Sequence, residues 1–120
     1  MGKSLYKYEY YKNWEIKYVR KYPVAIATCT FHLPFTYPYE LTEEKIRKYW
    51  KDKYGKAIII FDYPDTKMYR YELPQNSMFV LECYFKNYDK IDIRNSLDKI
   101  EEIVNYEKDN ERGIEEFEEE

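Results

Sequence analysis

The sequence predicts an α+β fold: an antiparallel sheet of about six strands, in the order βββα-βββα, with two helices packed on one face. Three observations carry this expectation. Several short segments alternate apolar and polar residues, the two-residue period of a half-buried strand, as at 14–18 and 79–85. Two segments instead repeat at helical spacing: Ile46, Tyr49, Trp50 and Tyr54, then Ile93, Leu97, Ile100 and Val104. A chain of 120 residues is enough for one domain and one core, and helices segregated to one face of an antiparallel sheet bury both patterns.

Taken in order, residues 5–10 set Tyr6, Tyr8 and Tyr10 against Lys7 and Glu9. Lys12-Asn13 reads as a turn, after which Trp14, Ile16 and Tyr18 alternate with Glu15 and Lys17. The expectation is a hairpin with one aromatic face. Residues 24–33 are apolar or small on both faces and should lie centrally in the sheet. After a loop with Pro34 and Pro38, Thr42 is the expected N-cap of the first helix, with Glu43 and Glu44 where the helix dipole favours acids. Gly55 should end that helix.

The continuous run Ile58-Ile59-Ile60-Phe61 predicts a buried strand at 57–63. Residues 68–73 alternate Tyr69, Tyr71 and Leu73 against Arg70 and Glu72, a fifth strand. In the sixth, Phe79, Leu81, Cys83 and Phe85 form the core side, and Val80, Glu82, Tyr84 and Lys86 the other. The second helix should begin near Asp92, and its apolar stripe stops at Tyr106. The expected organisation is a single α+β domain at 1–106 and an acidic C-terminal tail at 107–120, either a frayed helix end or a mobile segment.

Composition narrows the class. Charged residues make up 36%, aromatics 20%, with 16 tyrosines, while Gln75 is the single glutamine. Abundant Lys and Glu with few thermolabile amides fits a hyperthermophile, and the expected source is a hyperthermophilic archaeon or a virus of one. Tyrosine-rich cores should keep rings inside and hydroxyls at the margin, because each hydroxyl needs a partner. The sequence has no run of about 20 apolar residues, and the N-terminus lacks a signal-peptide core. A cytoplasmic protein, in the host cytoplasm if viral, is expected. Cys29 and Cys83 lack CxxC spacing and read as two buried thiols, with a disulfide the alternative.

Charge is segregated. Residues 1–22 hold six bases and two acids, a net +4; residues 98–120 hold eleven acids and three bases, a net −8. A basic, aromatic body suggests single-stranded nucleic acid, with bases stacked on rings and phosphates met by cations. The candidate residues are Lys7, Tyr11, Lys17, Tyr18, Arg20, Lys21 and Tyr22. The competing explanation, a solvated thermophile surface over a tyrosine core, accounts for the same residues. In the tail, Ile114 and Phe117 stand among glutamates as one turn of a partner-docking helix.

Catalytic readings find little support. His32 is the single histidine, and its spacing of three from Cys29 puts the two on opposite faces of a strand. Asp65, Glu82 and Lys86 faintly resemble the PD-(D/E)xK nuclease pattern, but Tyr84 stands where the lysine should be. With three glycines there is little from which to build a phosphate loop, and no metal or cofactor is expected. The expectation is a non-enzymatic binding or accessory protein acting by protein–protein contact on a host or viral complex, with homodimerisation through the tyrosine-rich hairpin or an open sheet face also plausible. Single-stranded nucleic-acid binding and a metal-dependent nuclease are the alternatives.

Overall fold

The computed structural model describes residues 5–65 and 76–118, with side chains as far as Asp109. The elements are β1 (Tyr6–Tyr11), β2 (Trp14–Val19), β3 (Val24–Pro34), α1 (Tyr39–Tyr54), β4 (Ile59–Asp62), β5 (Asn76–Lys86) and α2 (Lys90–Glu118). Among the described residues five strands form one antiparallel sheet in the order β1-β2-β3-β5-β4, with both helices packed against it. The α+β class expected from the sequence is the observed one. The expected strand at 68–73 lies outside the described residues.

The sheet is organised around β3. Its apolar and small side chains suit the central position, where it pairs with β5 from Val24↔Lys86 to Pro34↔Asn76. One face of the sheet is the core. Ile16, Ala27, Cys83 and Ile59 align across four strands and are all buried. Against this face α1 brings Ile46 and Trp50, and α2 brings Ile93, Leu97, Ile100 and Val104. The predicted helical stripes are therefore the buried ones. Cys29 and Cys83 are free and buried on this same side, as apolar residues rather than a disulfide.

Tyrosines mostly obey the expectation of ring in and hydroxyl satisfied. Tyr37 donates to the Val104 carbonyl at 2.8 Å, and Tyr39 to the Pro34 carbonyl at 2.8 Å. Tyr54 sits half-buried with its hydroxyl donating to Asp92 at 2.8 Å. The first row of tyrosines behaves differently. Across the two-residue turn the register is Tyr11↔Trp14, Glu9↔Ile16 and Lys7↔Tyr18. Directly paired residues share a face, so Tyr6, Tyr8 and Tyr10 lie opposite to Trp14, Ile16 and Tyr18. The hairpin has two aromatic faces, not one. Turn length sets this register, and Lys12 adopts the positive φ of 52° that the tight turn requires.

Three further expectations change. Helix α1 begins at Tyr39, three residues before Thr42, with Pro38 at its N-cap and no side-chain cap. Thr42 is instead fully buried and donates its hydroxyl to Tyr37 at 2.9 Å. The isoleucine run is not buried on both faces: Ile59 is, but Ile58 and Ile60 are 55% and 45% exposed. Finally, α2 is capped by Asp89, whose Oδ1 accepts from the Ile91 and Asp92 amides, and it runs on past Tyr106. Glu107, placed in the expected tail, is buried and paired with Lys45, so packing extends at least that far.

Candidate functional site

The second face of the sheet is the candidate. Among the described residues no element lies on it, and strand alternation gives it a defined grid. One row across the strands is Tyr8, Lys17, Ile26, Tyr84 and Ile58; the next is Tyr10, Glu15, Thr28, Glu82 and Ile60. Beyond these come Thr30, Val80 and Asp62, then His32 and Met78. Large apolar side chains stand out to solvent here: Tyr8, Tyr10, Ile58, Ile60 and Met78. Isolated exposed hydrophobics are ordinary, but several on one uncovered sheet face are the pattern of a contact surface.

Polar groups on this face pair locally. Tyr10 donates to Glu15 at 3.3 Å, and Tyr84 donates to Glu82 at 2.6 Å. The Glu82 hydrogen bond raises the Tyr84 hydroxyl above its ordinary value. The Lys17 ammonium stands 5.8 Å from the Tyr6 ring centroid. Lys17 and Lys86 are thus balanced by Glu15, Glu82 and Asp62, so the face has no positive excess.

The seven nucleic-acid candidates do not converge. Lys17 is on the uncovered face, while Lys7, Tyr11 and Tyr18 share the opposite, helix-bearing side. Tyr18 is buried, and Tyr11 donates to Asp98 at 3.0 Å. Arg20, Lys21 and Tyr22 are exposed in the connection between β2 and β3. The nuclease candidates also separate. Glu82 and Lys86 are four residues apart on β5, about 13 Å at strand rise. Asp65 lies beyond Asp62, which pairs with Val80, and so towards the other end of β5 from Lys86. Among the described residues no three His, Cys, Asp or Glu side chains group as metal ligands. The side chains of Ile114 and Phe117 lie outside the described ones.

The charge segregation of the sequence is met in part inside the fold. Helix α2 lies against the hairpin, and its acids meet the hairpin's donors. Lys12 pairs with Asp98 at 2.6 Å, the Trp14 indole donates to Glu101 at 3.0 Å, and Lys90 returns the contact to Glu9 at 3.2 Å. Hydrogen bonding from Lys12, then from Tyr11, holds the Asp98 carboxyl below its ordinary range. A bond from Tyr18, then Lys90, does the same for Glu9. Between the helices, Lys53 bridges Asp92 at 2.8 Å and depresses it likewise. What the sequence presents as a basic head and an acidic tail is in part a set of intramolecular pairs. Alternation could reveal the two faces of each strand, but not which basic residues α2 would engage.

Two concavities flank the uncovered face. One, of about 370 Å³, is lined by Val24, Tyr54, Ala57, Ile58, Tyr84 and the Lys56 and Lys86 stems. The other, of about 450 Å³, lies over Tyr10, Lys12, Glu15, Lys17, Thr28 and Thr30. His32, exposed opposite Met78, and buried Cys29 point to opposite sides of β3, as their spacing predicts. Burial pushes the Cys29 thiol up to about 12, which removes it as a nucleophile near neutral pH. No helix among the described residues is long and apolar enough to cross a membrane. No protein-family model, curated protein or solved structure matches the chain.

Proposed function

We propose that this protein works without catalysis, as a binding or accessory factor that contacts another protein through the uncovered face of its sheet, in the cytoplasm. The observation that carries this reading is the set of exposed apolar side chains Ile58, Ile60 and Met78 on a face that also presents Tyr8 and Tyr10. Tyrosine suits contact surfaces because a rigid ring offers a large area at low entropic cost. The charge balance of the face supports a protein over a phosphate chain, since nucleic-acid binding draws its affinity from cations that neutralise phosphates. The scatter of Lys7, Lys17, Arg20 and Lys21 over different surfaces weighs the same way.

A photo-crosslinking residue at Ile60, in cells of the source organism, tests the reading. The same residue at Ile91, which is exposed at the start of α2, serves as the control. A protein adduct at 60 and none at 91 is expected. Equal yields at both positions, or no adduct at 60, would refute the assignment of this face.

A further inference from the structure

Resting on the contact reading, the layout of the uncovered face also selects an occupant. We infer that the face is closed by a second copy of this chain, sheet upon sheet, about a two-fold axis running across the strands between the two central rows.

The argument is one of register and charge. The rows Tyr8-Lys17-Ile26-Tyr84-Ile58 and Tyr10-Glu15-Thr28-Glu82-Ile60 are adjacent. An axis lying between them and across the strands maps each strand onto itself and exchanges the rows. Lys17 then meets Glu15 of the second copy, and the Tyr84 hydroxyl meets Glu82. Ile58 meets Ile60, and Tyr8 meets Tyr10. Lys17 and Glu15 find each other across the axis, the Glu82 carboxylate faces a tyrosine rather than another acid, and each exposed isoleucine finds another.

The alternative in-plane axis, along β3, is disfavoured by the same residues. It exchanges β2 with β5 and sets Glu15 over Glu82 of the second copy, a like-charge contact. The favoured axis also keeps the strands of the two sheets near alignment, within the angle of about 30° at which twisted sheets pack.

The area is sufficient. The two central rows span five strands, roughly 24 Å at about 4.8 Å spacing, and one shorter row flanks them on each side, with rows about 7 Å apart. That gives on the order of 500 Å² per copy, or about 1,000 Å² in all, the threshold for a specific interface of good complementarity. A dimer of moderate, concentration-dependent stability is expected.

Sedimentation equilibrium of the full chain over a range of concentrations tests this, with circular dichroism confirming that each variant folds. The expected result is reversible formation of a species of twice the 15.0 kDa chain mass. Lys17→Glu and Glu15→Lys should each weaken it by about tenfold or more. The double variant Glu15→Lys with Lys17→Glu should restore it, because the axis pairs the two positions with each other. A chain that stays monomeric throughout overturns the inference. So does a dimer strengthened by Glu15→Lys alone, which would indicate the axis along β3. If the chain is monomeric while position 60 crosslinks to a different protein, the second copy is excluded and the contact reading stands. If neither association occurs, both fall.

Discussion

Replacing Phe79 with alanine should cost about 4 kcal/mol of stability, the middle of the range for such changes, and the structure says why the full loss applies. Phe79 is fully buried on β5. Five other rings surround it: Tyr39 at 5.5 Å, Tyr63 at 5.6 Å, Phe61 at 6.0 Å, and Phe31 and Tyr37 at 6.4 Å between centroids. These belong to β3, the following loop, α1, β4 and the segment after it, so one side chain ties five parts of the chain together. Aromatic pairs contribute about 0.5–1.5 kcal/mol each beyond area, but they share one ring and cannot simply be added. The neighbours are themselves held by hydrogen bonds, such as Tyr37 to the Val104 carbonyl, so collapse into the cavity is restricted. Phe79→Leu keeps most of the volume and should lose only about 1–1.5 kcal/mol. Urea unfolding followed by the fluorescence of buried Trp14 and Trp50 separates the two, provided the denaturant slope is unchanged. A loss below about 2 kcal/mol for alanine, or equal losses for both variants, would show that this cluster is not the packing centre.

Two other outcomes follow from local chemistry. Burial pushes Tyr54 and Tyr63 up to about 12 and the Cys29 thiol, ordinarily near 9.0, up to about 12. Each group is neutral in the fold while the unfolded chain ionises first, so this stability is whole below about pH 9 and is lost as pH rises towards 12. The melting temperature should fall progressively between about pH 9 and about pH 11; a level melting temperature over that span would contradict the assignment. At the start of α2, Asp89→Ala removes the side chain that accepts the Ile91 and Asp92 amides and should cost about 1 kcal/mol. Asp89→Asn should retain most of it, and an unchanged urea midpoint for the alanine variant would mean that the cap contributes nothing.

Local periodicity made much of the fold legible. Ile93, Leu97, Ile100 and Val104 form a stripe that only one helical face can bury, and they are the buried residues of α2. The apolar β3 could only be central, and Gly55, at φ 67°, ends α1 as a residue free to adopt that angle. Spacing also separated His32 from Cys29, because a strand changes face at every residue.

Partnership, by contrast, was decided in three dimensions. Alternation along 5–10 and 14–18 cannot say which row of one strand lies beside which row of the next. The two-residue turn fixed that, and sent Tyr6, Tyr8 and Tyr10 to the side without helices. An apolar run such as Ile58-Ile59-Ile60 reads as doubly buried only if something covers its second face, and coverage depends on where helices dock. Thr42 has the chemistry of a cap, but Tyr37 and Tyr39 pack into the core and start the helix earlier, leaving the hydroxyl to bond Tyr37. Charge was the least legible of all. The sequence set basic residues at one end and acids at the other, and the fold brought Lys12 to Asp98. Periodicity is a property of neighbours along the chain, whereas pairing energy depends on distance in space, which only the folded chain sets.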